Sequence, residues 1–349
     1  MSDLLVGLLS ALVATNPPAA LSNLVQQRTG LSLPVAAAAA DPFAGKLRQL
    51  MEADDAAQAE VDEWILAGQK ERADRPETDE EKVSIRGRIL RRFAPVRKGY
   101  EDFLEAHPQH AGARLAYGSF LNDIGDEEAA EAQWEKAREC DPKNPAAWNN
   151  LGNHYGHAGD VRKAFAYYAK AIELEPGESV YYQNLATTVF LFRKDAMDFY
   201  HLTEQEVFAK AMDLYRQALA HDPENFRLAA EVAQSYYGIK TPKTGEAEAD
   251  ARAGRKLAEE ALAAWKVAYK LASLDLERES VQLHFCRWQI NSGQFEEARR
   301  SLAVVTNEAL SVSKRTLVRK LDVGEAAARA TNAPAARASR PAQGPAEEP

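Results

Sequence analysis

The residues of this chain that are best suited to chemistry by type and spacing lie in one short stretch, WNNLGNHYGHAGD at 148–160. His154 and His157 are three residues apart, so on a helix both imidazoles project from one face. Such a pair binds a metal ion when a third ligand is close, and Asp160 is the nearest carboxylate. Because Asp160 follows Gly159, it is better placed to cap a second helix. We therefore expect no metal here, with one histidine packed and the other solvated.

The rest of the sequence carries none of the established motifs of enzymes or metal sites. It contains no P-loop, no GxGxxG turn, no HExxH or CxxC pair and no GxSxG elbow. Asp195, Asp198 and His201 form a second cluster of candidate ligands, but their spacing fits no metal-site pattern and predicts a polar loop or an extra helical turn. These observations predict a non-catalytic protein without a cofactor. An unrecognised helical enzyme is the alternative.

A strongly basic run, KVSIRGRILRRFAPVRK at 82–98, could contact the phosphates of a nucleic acid or of a membrane. Ile85, Ile89 and Phe93 are spaced as one face of an amphipathic helix, and no stacking aromatics alternate with the arginines. The whole chain has a formal net charge of −9, which disfavours a dedicated nucleic-acid binder. We expect a solvated face with internal salt bridges and no nucleic-acid partner. Contact with an anionic partner through 82–98 is the alternative.

The prolines of the sequence reveal an internal repeat. Pro108, Pro142 and Pro176 are 34 residues apart, and each follows a helical pattern. Pro223 comes 47 residues after Pro176, which equals one repeat with an insert of 13 residues. The stretch 148–160 therefore lies inside a recurring structural unit, and its residues must be interpreted as parts of that unit.

The best-defined unit, 145–178, has the pattern of two helices joined by a short turn. Asn144 can cap the first helix, and Gly159 with Asp160 can form the turn into the second. The unit follows W-x2-L-G-x2-Y, then A-x3-Y-x2-A and a final proline, with these places filled by Trp148, Leu151, Gly152, Tyr155, Ala164, Tyr168, Ala171 and Pro176. This pattern resembles the tetratricopeptide repeat. The resemblance implies an all-α, right-handed solenoid of antiparallel helix pairs that acts as a protein-interaction scaffold.

In that family the first helix of each repeat lines a concave groove, so the resemblance implies that the polar residues of this helix face a bound peptide. An asparagine amide donates and accepts at once, and can therefore pair with both a peptide N–H and a peptide C=O. Asn184 repeats Asn150 one unit later. The residues that we expect in the peptide-binding groove are Asn149, Asn150, Asn153, His157, Gln183, Asn184 and Arg227. The alternative is that asparagine is merely tolerated at these places.

Weaker units extend the array on both sides of 145–178. We expect about six repeats over 77–310, with inserts near 191–203 and 241–256. A solenoid buries its apolar faces only between neighbouring repeats, so its ends need caps. Capping helices are expected at 43–76 and 311–330, and a disordered tail rich in Pro and Ala at 331–349.

The N-terminal segment 1–42 is apolar and rich in alanine. Its run from Leu4 to Ala14 is shorter than the about 20 residues that span a bilayer. Asp3 precedes the run where an export signal carries basic residues. We expect a docked or partner-binding helix, no stable membrane span and a cytoplasmic protein. An export or membrane-contact signal is the alternative.

Overall fold

The computed structural model of the chain describes residues 42–72, 78–241 and 244–332. Within these ranges it contains 14 α-helices, two 3₁₀ turns and no β-strand, which confirms the predicted all-α class. The segment expected at 1–42 and the tail expected at 331–349 lie outside the described residues, except for their inner ends. No helix in these ranges is long and apolar enough to cross a membrane.

The helices belong to two compact units, divided in the sequence between His221 and Asp222. The first unit contains α1 (Ala44–Arg72), α2 (Asp79–Ala106), α3 (Ala111–Asp123), α4 (Glu127–Cys140), α5 (Pro145–Ala158), α6 (Val161–Leu174), α7 (Ser179–Leu191), α8 (Arg193–Tyr200) and α9 (Glu204–His221). The second unit contains α10 (Phe226–Ser235), α11 (Ala247–Leu271), α12 (Asp275–Asn291), α13 (Phe295–Ala303) and α14 (Ser311–Asn332), with 3₁₀ turns at Tyr236–Gly238 and Glu308–Leu310.

The helices pack in antiparallel pairs, as the repeat predicted. In the first unit the pairs are α1 with α2, α3 with α4, α5 with α6, and α7 with α9. In the second unit they are α10 with α11 and α12 with α13, and α14 packs on the last pair. A helix such as α5 contacts both its own partner α6 and helices of the neighbouring pairs, so two of its faces are covered.

The ends of the best-defined pair are set by the residues that the sequence indicated. Asn144 accepts a hydrogen bond from the Ala146 amide at 3.0 Å and so caps α5. Gly159 ends α5 with φ 91°, a left-handed conformation that glycine adopts without strain. Asp160 then accepts from the Lys163 amide at 3.3 Å and caps α6. The carboxylate that stood near the histidines is therefore a helix cap.

Glycine permits the close approach of the two helices of a pair. A Cβ atom at Gly152 would lie 2.8 Å from the ring of Tyr168, and one at Gly118 would lie 2.5 Å from Nε1 of Trp134. The two glycines are 34 residues apart and occupy the same place in successive repeats. The aromatic ring of the second helix therefore occupies the space that a Cβ atom would need in the first helix.

A repeated hydrogen bond ties each of three pairs to the loop before it. The donor is the residue at the first signature place of the repeat, and the acceptor is the carbonyl of the proline that ends the preceding repeat. These hydrogen bonds join Arg114 to Pro108, Trp148 to Pro142, and Tyr182 to Pro176, with donor–acceptor distances of 2.9–3.1 Å. Donor capacity at this place is therefore kept although the residue type changes.

The segments expected as inserts and caps differ from the prediction in detail. Residues 193–200, inside the first expected insert, form the helix α8, whose Phe199 contacts Phe165 of α6 with ring centroids 5.3 Å apart. Of the second expected insert, residues 247–256 belong to the continuous helix α11. These residues are polar, but Ala, Glu, Arg and Lys are strong helix formers. At the N-terminal end, one helix, α1, takes the first position of the first pair.

Candidate functional site

His154 and His157 have different surroundings, as the sequence predicted. His154 is largely buried, and its Nε2 lies 3.2 Å from a carboxylate oxygen of Glu131. His157 is exposed at the end of α5. Among the described residues no three His, Cys, Asp or Glu side chains are grouped so that they could hold a metal ion. The pair is therefore not assembled into a site with a third ligand in this part of the chain.

The asparagines of α5 are not all on the surface. Asn149 is 1 % exposed and Asn150 is 2 % exposed, whereas both were expected to face a bound peptide in the groove. The residue spacing in α5 predicted one packed face, but α5 contacts helices of the neighbouring pairs as well as its own partner α6. Asn153 is half-buried and His157 is exposed. The groove residues expected on α5 are therefore buried at Asn149 and Asn150 and become accessible towards His157.

The buried asparagines form a hydrogen-bonded chain that reaches the next repeat. Asn184 of α7 donates from Nδ2 to Oδ1 of Asn149 at 2.9 Å. Asn149 in turn donates to Oδ1 of Asn150 at 3.4 Å. Nδ2 of Asn150 is buried and has no acceptor among the described residues. This arrangement leaves Oδ1 of the half-buried Asn184 without a hydrogen bond from the described residues.

A second contact orients the amide of Asn153. The Tyr168 hydroxyl donates to Oδ1 of Asn153 at 2.7 Å. Tyr168 is 3 % exposed, and burial raises the pKa of its hydroxyl, which therefore stays protonated and remains a donor. Nδ2 of Asn153 has no acceptor within the described ranges. From the sequence, Tyr168 was expected to be a core residue only. Its contact with Asn153 joins two helices, and such a contact cannot be inferred from the number of residues between them.

We call the surface formed by Asn153, His157, Gln183 and Asn184 the asparagine face. Asn149, which holds Asn184, precedes Asn153 by one helical turn, a rise of about 6 Å. One helical turn of α5 therefore separates Asn153 from the residue that holds Asn184.

The surroundings of this face vary from one repeat to the next. The place that His157 holds in α5 is held in α7 by Leu191, which is 63 % exposed. The carbonyl of Gln183 accepts from the hydroxyl of Thr187 at 2.9 Å, and its side chain is half-buried. Arg227, also expected in the groove, is exposed on α10 and belongs to the second unit.

The basic run forms much of α2, and many of its cations have partners. Phe93 is buried and Ile85 and Ile89 are half-buried, which confirms the predicted amphipathic helix. The contacts are Arg92 with Glu60 at 2.6 Å, Arg97 with Asp126 at 3.0 Å, Lys98 with Asp102 at 2.8 Å, Lys82 with Asp79 at 3.1 Å, and the Arg88 guanidinium 3.6 Å from the ring centroid of Trp64. Four of the seven cations of this run thus lie beside a carboxylate of the first unit.

Comparison with known proteins gives one family match and a set of similar structures. The tetratricopeptide repeat family matches residues 145–178, the α5–α6 pair that carries Asn149 and Asn153. PilW, a widely conserved type IV pilus biogenesis factor, is similar with a TM-score of 0.48 and 17 % identity, over 67 % of this chain and 93 % of PilW. PilF from Pseudomonas aeruginosa is similar with a TM-score of 0.45 and 16 % identity, over 78 % and 99 %. MamA is similar with a TM-score of 0.39 and 19 % identity, over 56 % and 96 %. No curated protein matches the sequence.

Proposed function

Because the α5–α6 pair matches the tetratricopeptide repeat family, we propose that this chain is a non-catalytic repeat scaffold whose asparagine face binds a peptide segment of a partner protein. Repeat arrays of this kind use their extended surfaces for binding. The observation that carries the proposal is the pair of oriented amides: Asn153 turns its donor outward, and Asn184 turns its acceptor outward.

The proposed contact is with the backbone of the partner. A peptide carbonyl accepts from Nδ2 of Asn153, and a peptide N–H donates to Oδ1 of Asn184. Each hydrogen bond contributes about 0.5–1.5 kcal/mol net, so that the affinity needs further contacts along the face. His157 and the exposed Leu191 flank these amides and would supply the contacts that depend on the partner's side chains.

Site-specific photocrosslinking in host cells identifies the partner segment. A photoreactive amino acid replaces His157, which is exposed on the asparagine face. The control carries the same group at Ala166, exposed on α6. The proposal expects a peptide that is crosslinked from position 157 and not from position 166. Identical crosslinks from both positions would count against it.

Calorimetric titration of the crosslinked peptide, made synthetically, then tests the amides. Asn153→Ala is expected to weaken binding about three- to tenfold, since one hydrogen bond to the ligand is lost. Tyr168→Phe is expected to weaken it by a smaller factor, because the Asn153 amide loses its orienting donor. Gln217→Ala removes an amide from α9, outside the face, and serves as the control. An unchanged affinity of Asn153→Ala refutes the proposed contact.

The proposal includes a cytoplasmic location. Cys140 and Cys286 are both free, and Cys286 is fully buried, as in a protein that stays in a reducing compartment. Fractionation of host cells measures this directly, and recovery of the protein with the periplasmic or membrane fraction would contradict it.

A further inference from the structure

The second unit contains a pocket that plays no part in the asparagine face. Its volume is about 710 Å³, and it lies between the segment after α10, the N-terminal half of α11 and the end of α12. Pockets of roughly 300–1,000 Å³ are the size that small organic ligands occupy. The side chains used below are Lys240, Arg255, Trp288 and Asn291, together with Gly254.

One wall of the pocket is held rigidly by stacked rings. Trp288 stacks on Tyr237 with centroids 4.9 Å apart and an interplanar angle of 17°. The Tyr237 hydroxyl lies 3.1 Å from Nδ1 of His284, whose ring stacks on Trp265 at 3.9 Å and 9°. Trp288 is therefore fixed before any ligand arrives, which removes an ordering cost from binding.

The charge of the pocket lining has one sign. Lys240 and Arg255 line it, and none of the lining residues that the structure describes carries a carboxylate. Arg255 forms no ion pair with any residue of the described ranges. One turn earlier on the same helix, Arg252 lies 3.9 Å from the carboxylate of Glu248. A positively charged pocket beside a flat aromatic wall favours an anion that carries an apolar body.

The donors at the pocket also favour an acceptor-rich ligand. The Asn291 amide lines the pocket and is exposed. A planar carboxylate matches the paired N–H groups of a guanidinium and can accept from a neighbouring amide.

We infer that this pocket binds a small organic carboxylate with a flat apolar body, held by Arg255 and packed on Trp288. The inference does not depend on the asparagine face, since the two sets of residues belong to different units. The two proposals can therefore fail separately.

Titration of the full-length protein with naphthaleneacetate tests the inference. The readout is the set of indole N–H resonances from the five tryptophans, with the Trp288 signal assigned by Trp288→Phe. We expect naphthaleneacetate to shift the Trp288 signal and the neutral naphthaleneacetamide to bind at least about tenfold more weakly. Equal binding of acid and amide, or shifts confined to the other indoles, would overturn the inference.

Variants of Arg255 and Gly254 distinguish specific binding in the pocket from non-specific binding of naphthaleneacetate to the protein surface. Arg255→Glu is expected to weaken naphthaleneacetate binding by about tenfold or more, whereas Arg252→Glu, with the same charge change one turn away, leaves it unchanged. Gly254→Leu fills the pocket: a Cβ at Gly254 meets no atom within 4 Å, so the fold tolerates it. Binding must disappear in Gly254→Leu while the melting temperature is kept. Retained binding there, or equal effects of the two arginine variants, refutes the site.

Discussion

The amides of Asn153 and Asn184 each have one end held by the protein and the other end at the surface. An asparagine amide that lacks such a contact can rotate by half a turn and exchange its donor with its acceptor. The Tyr168 hydroxyl donates to Oδ1 of Asn153, and Nδ2 of Asn184 donates to Oδ1 of Asn149. A peptide therefore meets Nδ2 of Asn153 as a donor and Oδ1 of Asn184 as an acceptor.

Asn149 is expected to matter for stability because it stands in the middle of the hydrogen-bonded chain. Asn149→Ala leaves Nδ2 of Asn184 without its acceptor and removes the donor to Asn150. We expect the free energy of unfolding to fall by about 1–3 kcal/mol. Urea denaturation measures the loss, and Asn122→Ala, at an exposed site of α3, is the control. Equal stability of the two variants would show that the chain contributes nothing.

His284 is expected to make the second unit sensitive to acid. Burial lowers the pKa of its imidazole to about 3, and the positive charge of Arg287 adds to the effect. Below the ordinary value of 6.5 the unfolded chain binds a proton that the folded chain does not, so stability falls as the pH drops from about 7 to 4. The slope contributed is up to about 1.4 kcal/mol per pH unit.

The measurement is urea unfolding at several pH values, compared between the natural chain and His284→Gln. The variant should show a shallower loss of stability on acidification. His157→Gln, at an exposed histidine, should keep the original profile. The assignment fails if both variants keep the same slope.

At the scale of elements, the repeat is a pair of helices whose contact is fixed by one glycine and one ring. A Cβ atom added at Gly152 would lie 2.8 Å from the ring of Tyr168. One added at Gly156, one turn later, would lie 3.8 Å from its nearest neighbour. Both glycines lie in α5, and alanine is the better helix former at each. Only the packing of α5 on α6 distinguishes them.

Gly152→Ala is therefore expected to destabilise the first unit by about 1–3 kcal/mol, since the ring must move. Gly156→Ala is expected to be neutral or to gain up to about 1 kcal/mol. Thermal unfolding of the two variants measures the difference. Equal melting temperatures would mean that the close approach is not needed.

The docking of α1 on its neighbours includes a buried acid. Asp54 of α1 is 8 % exposed, and Gln58 donates to it at 3.0 Å. Burial raises the pKa of the Asp54 carboxyl to about 7, and the negative charges of Asp55 and Asp123 add to the rise. The folded chain thus keeps a proton that the unfolded chain releases near pH 4. Stability from this group is full below that pH and is lost as the pH rises through about 7.

Asp54→Asn is expected to stabilise the protein at pH 8 by about 1–2 kcal/mol and to change it little at pH 4. An amide carries no charge to desolvate, so that the variant lacks the penalty that the carboxylate has at high pH. Chemical unfolding at the two pH values gives the difference, with Asp62→Asn on the exposed side of α1 as the control. A stabilisation of the same size at both pH values would exclude the titration of Asp54 as its cause.

At the scale of the whole molecule, the balance of charge favours neutral contacts over phosphate contacts. The chain has a net charge of −9, and many cations of α2 already have partners such as Glu60 and Asp126. Binding through the amides of the asparagine face involves no exposed ion pair, and salt therefore screens little of it.

Binding of the crosslinked partner peptide is accordingly expected to change less than about threefold between roughly 50 and 300 mM salt. The same titration discriminates the alternative of an anionic partner on residues 82–98. There the affinity would fall steeply with salt, because counterions are released from the phosphates. A steep fall for the partner peptide would assign the contact to the basic run.

Much of the architecture could be predicted from single residues. Pro108, Pro142 and Pro176 gave the length of the repeat, and the turn at Gly159 and Asp160 indicated that the helices on either side of it form a pair. Such features are local or periodic, and the period alone places them on one face of a helix. The continuous helix α11 was not predicted, since the polar composition of 247–256 concealed its helix propensity.

By itself the sequence determined the α5–α6 pair and its caps at Asn144, Gly159 and Asp160, because these depend on neighbours within about 34 residues. Only the tertiary structure decided that Asn149 is buried while Asn153 keeps an open donor. Periodicity defines the face that a helix turns to its own partner. Periodicity gives no information about contacts with the helix of the next repeat, and those contacts determine which polar side chains remain accessible to a ligand.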